Sequence, residues 1–156
     1  MNVTGTLVWG FGATVVLTTC LRLAQALGYT RIDLPFILGS LLTPNRDRAK
    51  VAGYLFHLVN GWAFAFIYAA AFESADKAGL FFGMLIGLVH GMFVVVVVFP
   101  LLPAFHPRMA GEGWGPEPTR QLEPPGNLGL NYGWSTPLIT LAAHLIYGSI
   151  LGVFYR

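Results

Sequence analysis

The chain has 156 residues and a net charge of +2, and it is 55% hydrophobic and only 10% charged. Soluble domains contain about 25% charged residues, so this composition, with a mean hydropathy of +0.64, excludes an ordinary soluble protein and predicts a single membrane domain. Because the nine Lys and Arg residues are scattered rather than clustered, we exclude a nucleic-acid partner.

The first predicted membrane span covers residues 6–27 and carries one charge, Arg22. Helical rise places Arg22 about 7 Å from the end of the span, close enough for its side chain to reach the interface. The single cysteine, Cys20, lies in the same apolar run, so neither a disulfide nor a cysteine zinc site can form within one chain. Residues 32–42 are too few to cross a bilayer and include Pro35, which predicts an interfacial or re-entrant segment.

The second and third predicted spans cover residues 51–72 and 79–102. Both are largely apolar and reach the roughly 20 residues that a helix needs to cross a bilayer. The connection between them, residues 73–78, is short, and short connections join antiparallel neighbours. We therefore expect the second and third spans to form a hairpin whose helices pack side by side.

A long segment rich in glycine and proline, residues 103–136, separates the third span from the last one, residues 137–155. This segment shows no helical periodicity, which predicts a loop. Pro137 stands at a favoured first-turn position behind Ser135 and Thr136, which can cap the last helix. Together these segments predict an all-α integral membrane four-helix bundle with one short interfacial or re-entrant segment and a long loop between spans three and four.

The distribution of Lys and Arg predicts the orientation of the chain, because cytoplasmic loops are enriched in these residues. Loops 28–50 and 103–136 lie on the side that carries most of the positive charge. We predict that both loops are cytoplasmic and that both termini lie outside. The residues on the first side are Arg22, Arg31, Arg46, Arg48, Lys50, Arg108 and Arg120, and those on the other are Lys77 and Arg156.

Glycines recur every four residues in the third span and again in the last span. Glycine is unfavourable in a water-exposed helix, but in a membrane it lets two helix backbones approach closely. The stripe predicts close packing within the chain, and the abundance of glycine in all four spans also predicts contact with other membrane subunits or with a second copy. The glycines concerned are Gly79, Gly83, Gly87, Gly91, Gly148 and Gly152.

Three histidines lie inside predicted spans, namely His57, His90 and His144. Each lies on the same helical face as the small residues of its own helix. This predicts that all three point into the bundle, as the cost of polar groups in lipid requires. Helical rise puts His57 and His144 at a similar depth, about 9 Å from the cytoplasmic end, and His90 deeper, at about 13 to 18 Å. A site made of His57 and His144 is therefore simpler than one that uses all three.

These histidines suit more than one role. Neutral imidazole is a ligand of haem iron and of transition metals, and Asn60 and Tyr147, each three residues after a histidine, are placed to support such ligands. No HxxxH, HExxH or Cys-His spacing is present, so the identity of any metal stays unknown. Interhelical hydrogen bonding is the favoured alternative. A path for protons or small solutes lined by His90, Asn60 and Tyr68 is a further one.

Several polar residues lie near the predicted cytoplasmic surface. His106 and Arg108 are placed to bind a phosphate or lipid head group there, although interfacial anchoring of the loop is the more common use of such residues. Asp33 is expected to pair with Arg22 or Arg31. The sequence pairs no nucleophile with a base and holds no pair of intramembrane carboxylates, so it gives little support for catalysis.

Short motifs are distributed over the spans and the long loop. They are His57-Leu-Val-Asn60-Gly61, Gly83 to Gly91 with His90, His106-Pro107-Arg108, Asn131-Tyr132-Gly133, Thr136-Pro137 and His144-Leu-Ile-Tyr147-Gly148. In these motifs and in length the sequence resembles a group of uncharacterised four-span bacterial inner-membrane proteins. The resemblance covers nearly the whole chain and implies a helical protein of the bacterial inner membrane. It implies no activity, cofactor or catalytic residue.

The leading hypothesis from the sequence is a non-catalytic accessory or structural subunit that packs through its glycine-rich faces against a larger membrane complex. The chain has little mass outside the predicted spans and no pattern typical of an enzyme, so helix contact is the function that its surface offers. One alternative is a haem- or metal-binding protein that uses the intramembrane histidines in electron transfer or sensing. The other is a conduit for protons or small solutes.

Overall fold

The computed structural model describes residues 1–111 and 122–155 of the chain. Arg120 and Arg156, two of the charges used to predict the orientation, lie outside the described residues. Within the described ranges the chain is helical, and four helical stretches are long and apolar enough to cross a membrane. The all-α membrane bundle predicted from the sequence is thereby confirmed, and four such stretches fit a multi-pass membrane protein.

The described part of the chain contains the following elements in order. They are α1 (Val3–Ala26), α2 (Leu34–Ser40), α3 (Arg46–Ser74), α4 (Leu80–Phe93), a π segment (Val94–Val98), α5 (Phe99–Phe105), a 3-10 helix (Asn127–Tyr132) and α6 (Thr136–Phe154). α4, the π segment and α5 run on without a break as the third span, Leu80–Phe105. The other spans are α1, α3 and α6, and the short α2 occupies the predicted interfacial or re-entrant segment.

α3 begins at Arg46 rather than at residue 51, because a side chain caps its first turn. The Asn45 side chain accepts a hydrogen bond from the backbone N–H of Arg48 at 3.0 Å. Asn is among the best residues at this position, since its oxygen satisfies a backbone N–H that has no partner within the helix. The charged first turn of α3 is therefore helical, and the span is longer than its apolar part.

The third span continues past Pro100 to Phe105 rather than ending at residue 102. Proline cannot donate a backbone hydrogen bond, so it normally ends or kinks a helix. Here the π segment directly precedes the turn that holds Pro100. A change in hydrogen-bond register of this kind is one of the usual ways in which a helix accommodates a local disruption.

The helices do not pack in the order in which they follow along the chain. α4 packs most closely on α6, α1 packs on both α3 and α6, and α2 packs on α3. The backbones of α3 and α4 stay apart although their connection is short. The expected hairpin neighbours do touch, but through aromatic side chains rather than closely packed backbones: the ring centroids of Phe72 and Phe82 are 5.9 Å apart, and those of Phe64 and His90 are 3.8 Å apart.

Glycines explain why α4 and α6 lie so close together. A Cβ atom added at either Gly83 or Gly148 would collide with the backbone carbonyl of the other residue. A Cβ at Gly87 would collide with the carbonyl of His144, and one at Gly91 would lie 3.1 Å from the His144 Cβ. Only glycine allows two helix backbones to approach to this degree.

The same helix pair meets at its other end through Gly152 and Gly79. A Cβ at Gly152 would collide with the Gly79 carbonyl, whereas a Cβ at Gly79 would meet no atom within 4 Å. Gly79 instead caps α4 with a φ of 131°, a conformation that favours glycine. α2 and α3 also touch through glycines, because a Cβ at Gly39 or Gly53 would collide with the backbone of the facing helix.

Both chain termini lie at one end of the bundle, beside the turn between α3 and α4. The Met1 amino group is 3.3 Å from a Glu73 carboxylate oxygen, and the Tyr155 hydroxyl donates to the same carboxylate at 2.6 Å. α2 and the long loop lie at the other end. There Arg22 pairs with Asp33 at 3.1 Å, so Arg22 is the observed one of the two partners expected for Asp33.

The buried core has two parts. One lies among the spans and includes Tyr68 and Tyr147, whose rings meet edge to face with centroids 5.4 Å apart. The other lies beneath the long loop, where Met109 and Tyr132 pack against Val95 of the π segment. The structure thus places α2, the π segment and the loop together as a cap on one end of the bundle.

Candidate ligand-binding cavity

A cavity of about 330 Å³ lies between the two parts of the core. All three intramembrane histidines line it, each from a different helix: His57 from α3, His90 from α4 and His144 from α6. The rest of the lining is largely apolar, a composition typical of small-molecule sites. Its other polar and aromatic members are Thr14, Asn60, Phe64, Phe93, Phe99 and Tyr147.

His57 is held by a residue of a neighbouring helix. Its Nδ1 atom lies 2.9 Å from Oγ1 of Thr18 in α1. The Thr18 hydroxyl donates its own hydrogen to the Thr14 carbonyl at 2.7 Å, so its oxygen accepts the bond from His57. A neutral imidazole carries one proton, so His57 holds it on Nδ1. Its Nε2 lone pair has no hydrogen-bond donor among the described residues.

His144 is fixed in the same tautomer by its own helix. Its Nδ1 lies 2.7 Å from the Thr140 carbonyl oxygen, and a carbonyl can only accept, so Nδ1 carries the proton. The Thr140 hydroxyl donates separately to the Thr136 carbonyl at 2.9 Å. Nε2 of His144 is therefore a second hydrogen-bond acceptor at the cavity.

His90 lies between an aromatic ring and the other histidine of the α4–α6 contact. Its ring stacks on Phe64 with centroids 3.8 Å apart and meets the His144 ring edge to face at 4.6 Å. Its Nδ1 is 3.3 Å from the hydroxyl of Tyr68, which bonds to no other described residue. We assign the hydrogen of this bond to Tyr68, because the reverse would leave a buried hydroxyl hydrogen without an acceptor. His90 then carries its proton on Nε2.

The two residues expected to support histidine ligands do not bond to the histidines. The Tyr147 hydroxyl donates to the Gly61 carbonyl at 2.6 Å. The Asn60 side chain lines the cavity and makes no hydrogen bond with any described residue. An amide within a span is costly to leave unpaired, so Asn60 offers both a donor and an acceptor to a molecule in the cavity.

The geometry does not favour a metal or haem centre. Among the described residues, no group of three or more His, Cys, Asp or Glu side chains is arranged to hold a metal ion. In a bis-histidine haem the two ligating nitrogens lie about 2 Å from the iron on opposite sides. That arrangement needs a wider separation than the 4.6 Å between the His90 and His144 centroids. Ligation by His57 and His144 stays a prediction from the sequence.

α2 and the π segment complete the walls of the cavity. Ile37 and Leu38 reach it from α2, and Val94 and Val98 from the π segment. Single π turns are frequent at functional sites. Phe93 belongs to the lining and is 45% exposed, so the cavity reaches the lipid-facing surface of the bundle beside Phe93.

His106 and Arg108 hold α2 in its position. Nε2 of His106 donates to the Ile37 carbonyl at 3.0 Å, and its Nδ1 accepts from the backbone N–H of Arg108 at 3.1 Å. The Arg108 guanidinium donates to the Ser40 carbonyl, and a cation at this end of a helix is favourable. These contacts give both residues a role within the chain, while head-group binding by them stays a prediction.

The sequence indicated the three histidines but not the residues that orient them. Thr140 lies one helical turn before His144, a spacing at which side chains and carbonyls on one face meet, so that partner was accessible to sequence reasoning. Thr18 belongs to another helix, and no local pattern connects it with His57. The sequence of the short α2 segment likewise gives no indication that this segment forms part of the cavity wall.

Comparison with known proteins gave no identification: no family model matches the sequence, and no similar protein was found among curated proteins or solved structures.

Proposed function

We propose that this protein binds a small, uncharged, membrane-soluble molecule in the histidine-lined cavity. The observation that carries the proposal is the convergence of His57, His90 and His144, from three different helices, on one cavity. Its volume of about 330 Å³ lies within the range of about 300 to 1,000 Å³ that small-molecule sites occupy. Among the described residues the lining contains no Asp, Glu, Lys or Arg, so a charged occupant would lack a counter-charge from them.

The exposure of Phe93, which is part of the lining, supports an occupant that enters from the lipid. Towards the end that holds the termini, aromatic rings fill the interior of the bundle. Tyr68 packs on Tyr147 at 5.4 Å, and Phe72 packs on Tyr155 at 5.2 Å. A polar path across the membrane would have to pass these rings, so the conduit hypothesis has less support than a binding site that is closed on this side.

The accessory-subunit hypothesis also has less support than the sequence indicated. It rested on glycines in excess of what four helices need, yet most of these glycines meet other helices of the same chain. Gly10 faces Ala65, and Gly61 faces Thr14. Gly12 is an exception, because a Cβ there would meet no atom within 4 Å. Association with other membrane subunits or with a second copy stays a prediction.

The membrane and the orientation are part of the proposal. The sequence resemblance supports the bacterial inner membrane, and the excess of Lys and Arg in loops 28–50 and 103–136 supports a cytoplasmic position for both. The cavity would then lie in the cytoplasmic half of the bundle, since α2 and the long loop share that end.

Native mass spectrometry of the protein extracted in mild detergent tests the proposal. We expect one noncovalent adduct per chain, lighter than a phospholipid. Val98→Phe places a ring in the cavity and removes the adduct, whereas Val97→Phe, at the neighbouring lipid-exposed position, retains it. An absent adduct, or equal loss in both variants, contradicts the proposal. A haem absorption band or stoichiometric metal in the same sample would overturn it in favour of the metal alternative.

A further inference from the structure

The hydrogen-bonding groups around the cavity define the chemistry of its occupant, on the basis of the proposed binding function. His57 and His144 each present an Nε2 acceptor, because their Nδ1 protons are committed to Thr18 and Thr140. Every fully buried side-chain nitrogen or oxygen among the described residues has a hydrogen-bond partner. These two acceptors have none, so neither of them is fully enclosed. Two acceptors from two helices match a molecule that carries two hydrogen-bond donors.

The position of His90 restricts which donor group of the bound molecule fits beside His144. The His90 ring meets the His144 ring edge to face, with centroids 4.6 Å apart, so the Nε2–H donor of His90 and the Nε2 acceptor of His144 belong to adjacent rings of the cavity lining. A hydroxyl group can donate one hydrogen bond and accept others. A single hydroxyl placed here therefore donates to His144 while it accepts from His90. An amine cation would face the His90 donor, and a carbonyl would face the His144 lone pair.

The remaining lining indicates the body of the molecule. Phe64, Phe93 and Phe99 contribute aromatic rings, and such rings pack well against other aromatic systems. Phe93 connects the lining with the lipid-facing surface, and an apolar substituent placed there extends into the lipid. A flat ring with a lipid-soluble substituent satisfies both features.

We propose that the occupant is an uncharged dihydroxy-aromatic molecule of the hydroquinone class. One hydroxyl donates to His144 and accepts from His90, and the other donates to His57. The oxidised quinone carries only acceptors, so its carbonyl oxygens accept from His90 or Asn60 but leave the Nε2 acceptors of His57 and His144 without donors. The cavity therefore prefers the reduced form to the oxidised one.

Titration of the purified protein in detergent micelles under anaerobic conditions tests this inference. The probes are trimethylhydroquinone, its dimethyl ether and trimethylbenzoquinone, and the readout is the side-chain nitrogen resonances of the histidines. We expect the hydroquinone to bind at least about tenfold more tightly than either relative, because two hydrogen bonds distinguish it. The ether is the more apolar compound, so partition into the micelle cannot produce this order. His144→Phe should weaken the preference, because only the bond to His57 then distinguishes the probes, with Phe81→Leu on the lipid-exposed surface as the control.

The outcomes separate this inference from the proposed function. Equal binding of the three probes, or tighter binding of the quinone, overturns the hydroquinone class but leaves a small-molecule site that still shows the adduct sensitive to Val98→Phe. Absence of binding by every probe, together with absence of that adduct, overturns both. The comparison of probes on the unmodified protein decides the matter even where the His144→Phe variant does not fold.

Discussion

Thr18 determines which nitrogen of His57 faces the cavity. Its hydroxyl hydrogen is used by the Thr14 carbonyl, so its oxygen is free only to accept, and His57 must donate through Nδ1. The same bond connects α1 to α3 inside the membrane. One threonine therefore sets both the tautomer of a cavity residue and a contact between two spans.

Substitution of Thr18 by Val tests this bond. The Thr18→Val variant leaves the His57 Nδ1–H without its acceptor, and interhelical hydrogen bonds in membranes contribute about 0.6 kcal/mol on average and up to about 1.7. We expect a loss of unfolding free energy in this range. Thr19→Val is the matched control, because Thr19 bonds only to the Val15 carbonyl of its own helix. Equal losses in the two variants, measured by reversible unfolding in micelles, would contradict the assignment.

His106 makes the anchoring of α2 sensitive to pH. Burial lowers the pKa of His106, and the adjacent Arg108 charge lowers it further, against an opposing contribution from the bond to the Ile37 carbonyl. Protonation would also remove the Nδ1 acceptor that binds the backbone N–H of Arg108. Because the folded pKa lies below the unfolded value of about 6.5, the stabilisation is complete above that pH and is lost as the pH falls.

Comparison with a His106→Gln variant tests this dependence. At about pH 8 we expect the wild-type protein to be the more stable, since glutamine does not reproduce both bonds of the imidazole. At about pH 5 the difference in unfolding free energy between the two proteins narrows. It narrows by about 1.4 kcal/mol for each unit by which folding lowers the pKa of His106. The histidines of the cavity are common to both proteins, so their titration largely cancels in the difference. A gap in unfolding midpoint that stays constant between these pH values would contradict the prediction.

Single residues were predictable from the sequence where helical geometry alone determines their position. The angular comparison within each span identified His57, His90 and His144 as inward-facing, and the structure brings them together. Depth estimates placed His90 apart from the other two because they were counted from predicted helix ends. α3 begins at Arg46 rather than at residue 51, so His57 lies deeper than the estimate put it. The partners from other helices depend on tertiary packing, which a single sequence does not specify.

At the scale of elements, the contact between α4 and α6 depends on glycine at several positions along both helices. Four of these glycines face the backbone of the other helix rather than a flexible side chain, namely Gly83, Gly87, Gly148 and Gly152. Backbone cannot move aside without displacing its whole helix. The histidines of α4 and α6 lie on this same contact, so its spacing also determines the width of the cavity.

A Gly83→Ala substitution tests the contact. Its Cβ would collide with the Gly148 carbonyl, and overpacking of this kind costs about 1 to 3 kcal/mol. Gly12→Ala is the matched control, because a Cβ at Gly12 meets no atom within 4 Å and alanine is the better helix former. We expect a lower unfolding midpoint for Gly83→Ala and no loss for Gly12→Ala. Similar behaviour of the two variants would show that α4 and α6 are not packed through this face.

The spans were predictable from the sequence because length and hydropathy determine them. Which spans pack against each other was not predictable. The short turn after α3 indicated a hairpin, but glycine pairs draw α4 onto α6 and leave side chains between α3 and α4. The helical continuation through Pro100 depends on the π segment, and a run of valines does not indicate one. Residues of both the α4–α6 contact and the π segment line the cavity, so a prediction without these features does not contain it.

At the scale of the whole molecule, the structure places Met1 and Tyr155 at the same end of the bundle and the described parts of the long loop at the other. An even number of spans requires the first of these facts. The charge distribution then selects one of two orientations, with the termini outside. The same choice decides whether the cavity is nearer to the cytoplasmic surface or to the outer one.

Thiol labelling of intact cells tests the orientation. In a background where Cys20 is replaced by Ser, Ala78→Cys introduces a thiol at the exposed turn between α3 and α4, and Asp47→Cys introduces one at the exposed start of α3. We expect a membrane-impermeant reagent to label position 78 in intact cells and position 47 only after permeabilisation. The reverse pattern would place the loops outside.

A crystal structure of the protein, extracted in mild detergent and crystallised without removal of bound molecules, tests the central claim most directly. We predict electron density for one small molecule in the cavity, with polar atoms within hydrogen-bond distance of Nε2 of both His57 and His144. A cavity that holds only a detergent or lipid tail, or a metal ion between the histidines, would contradict the account.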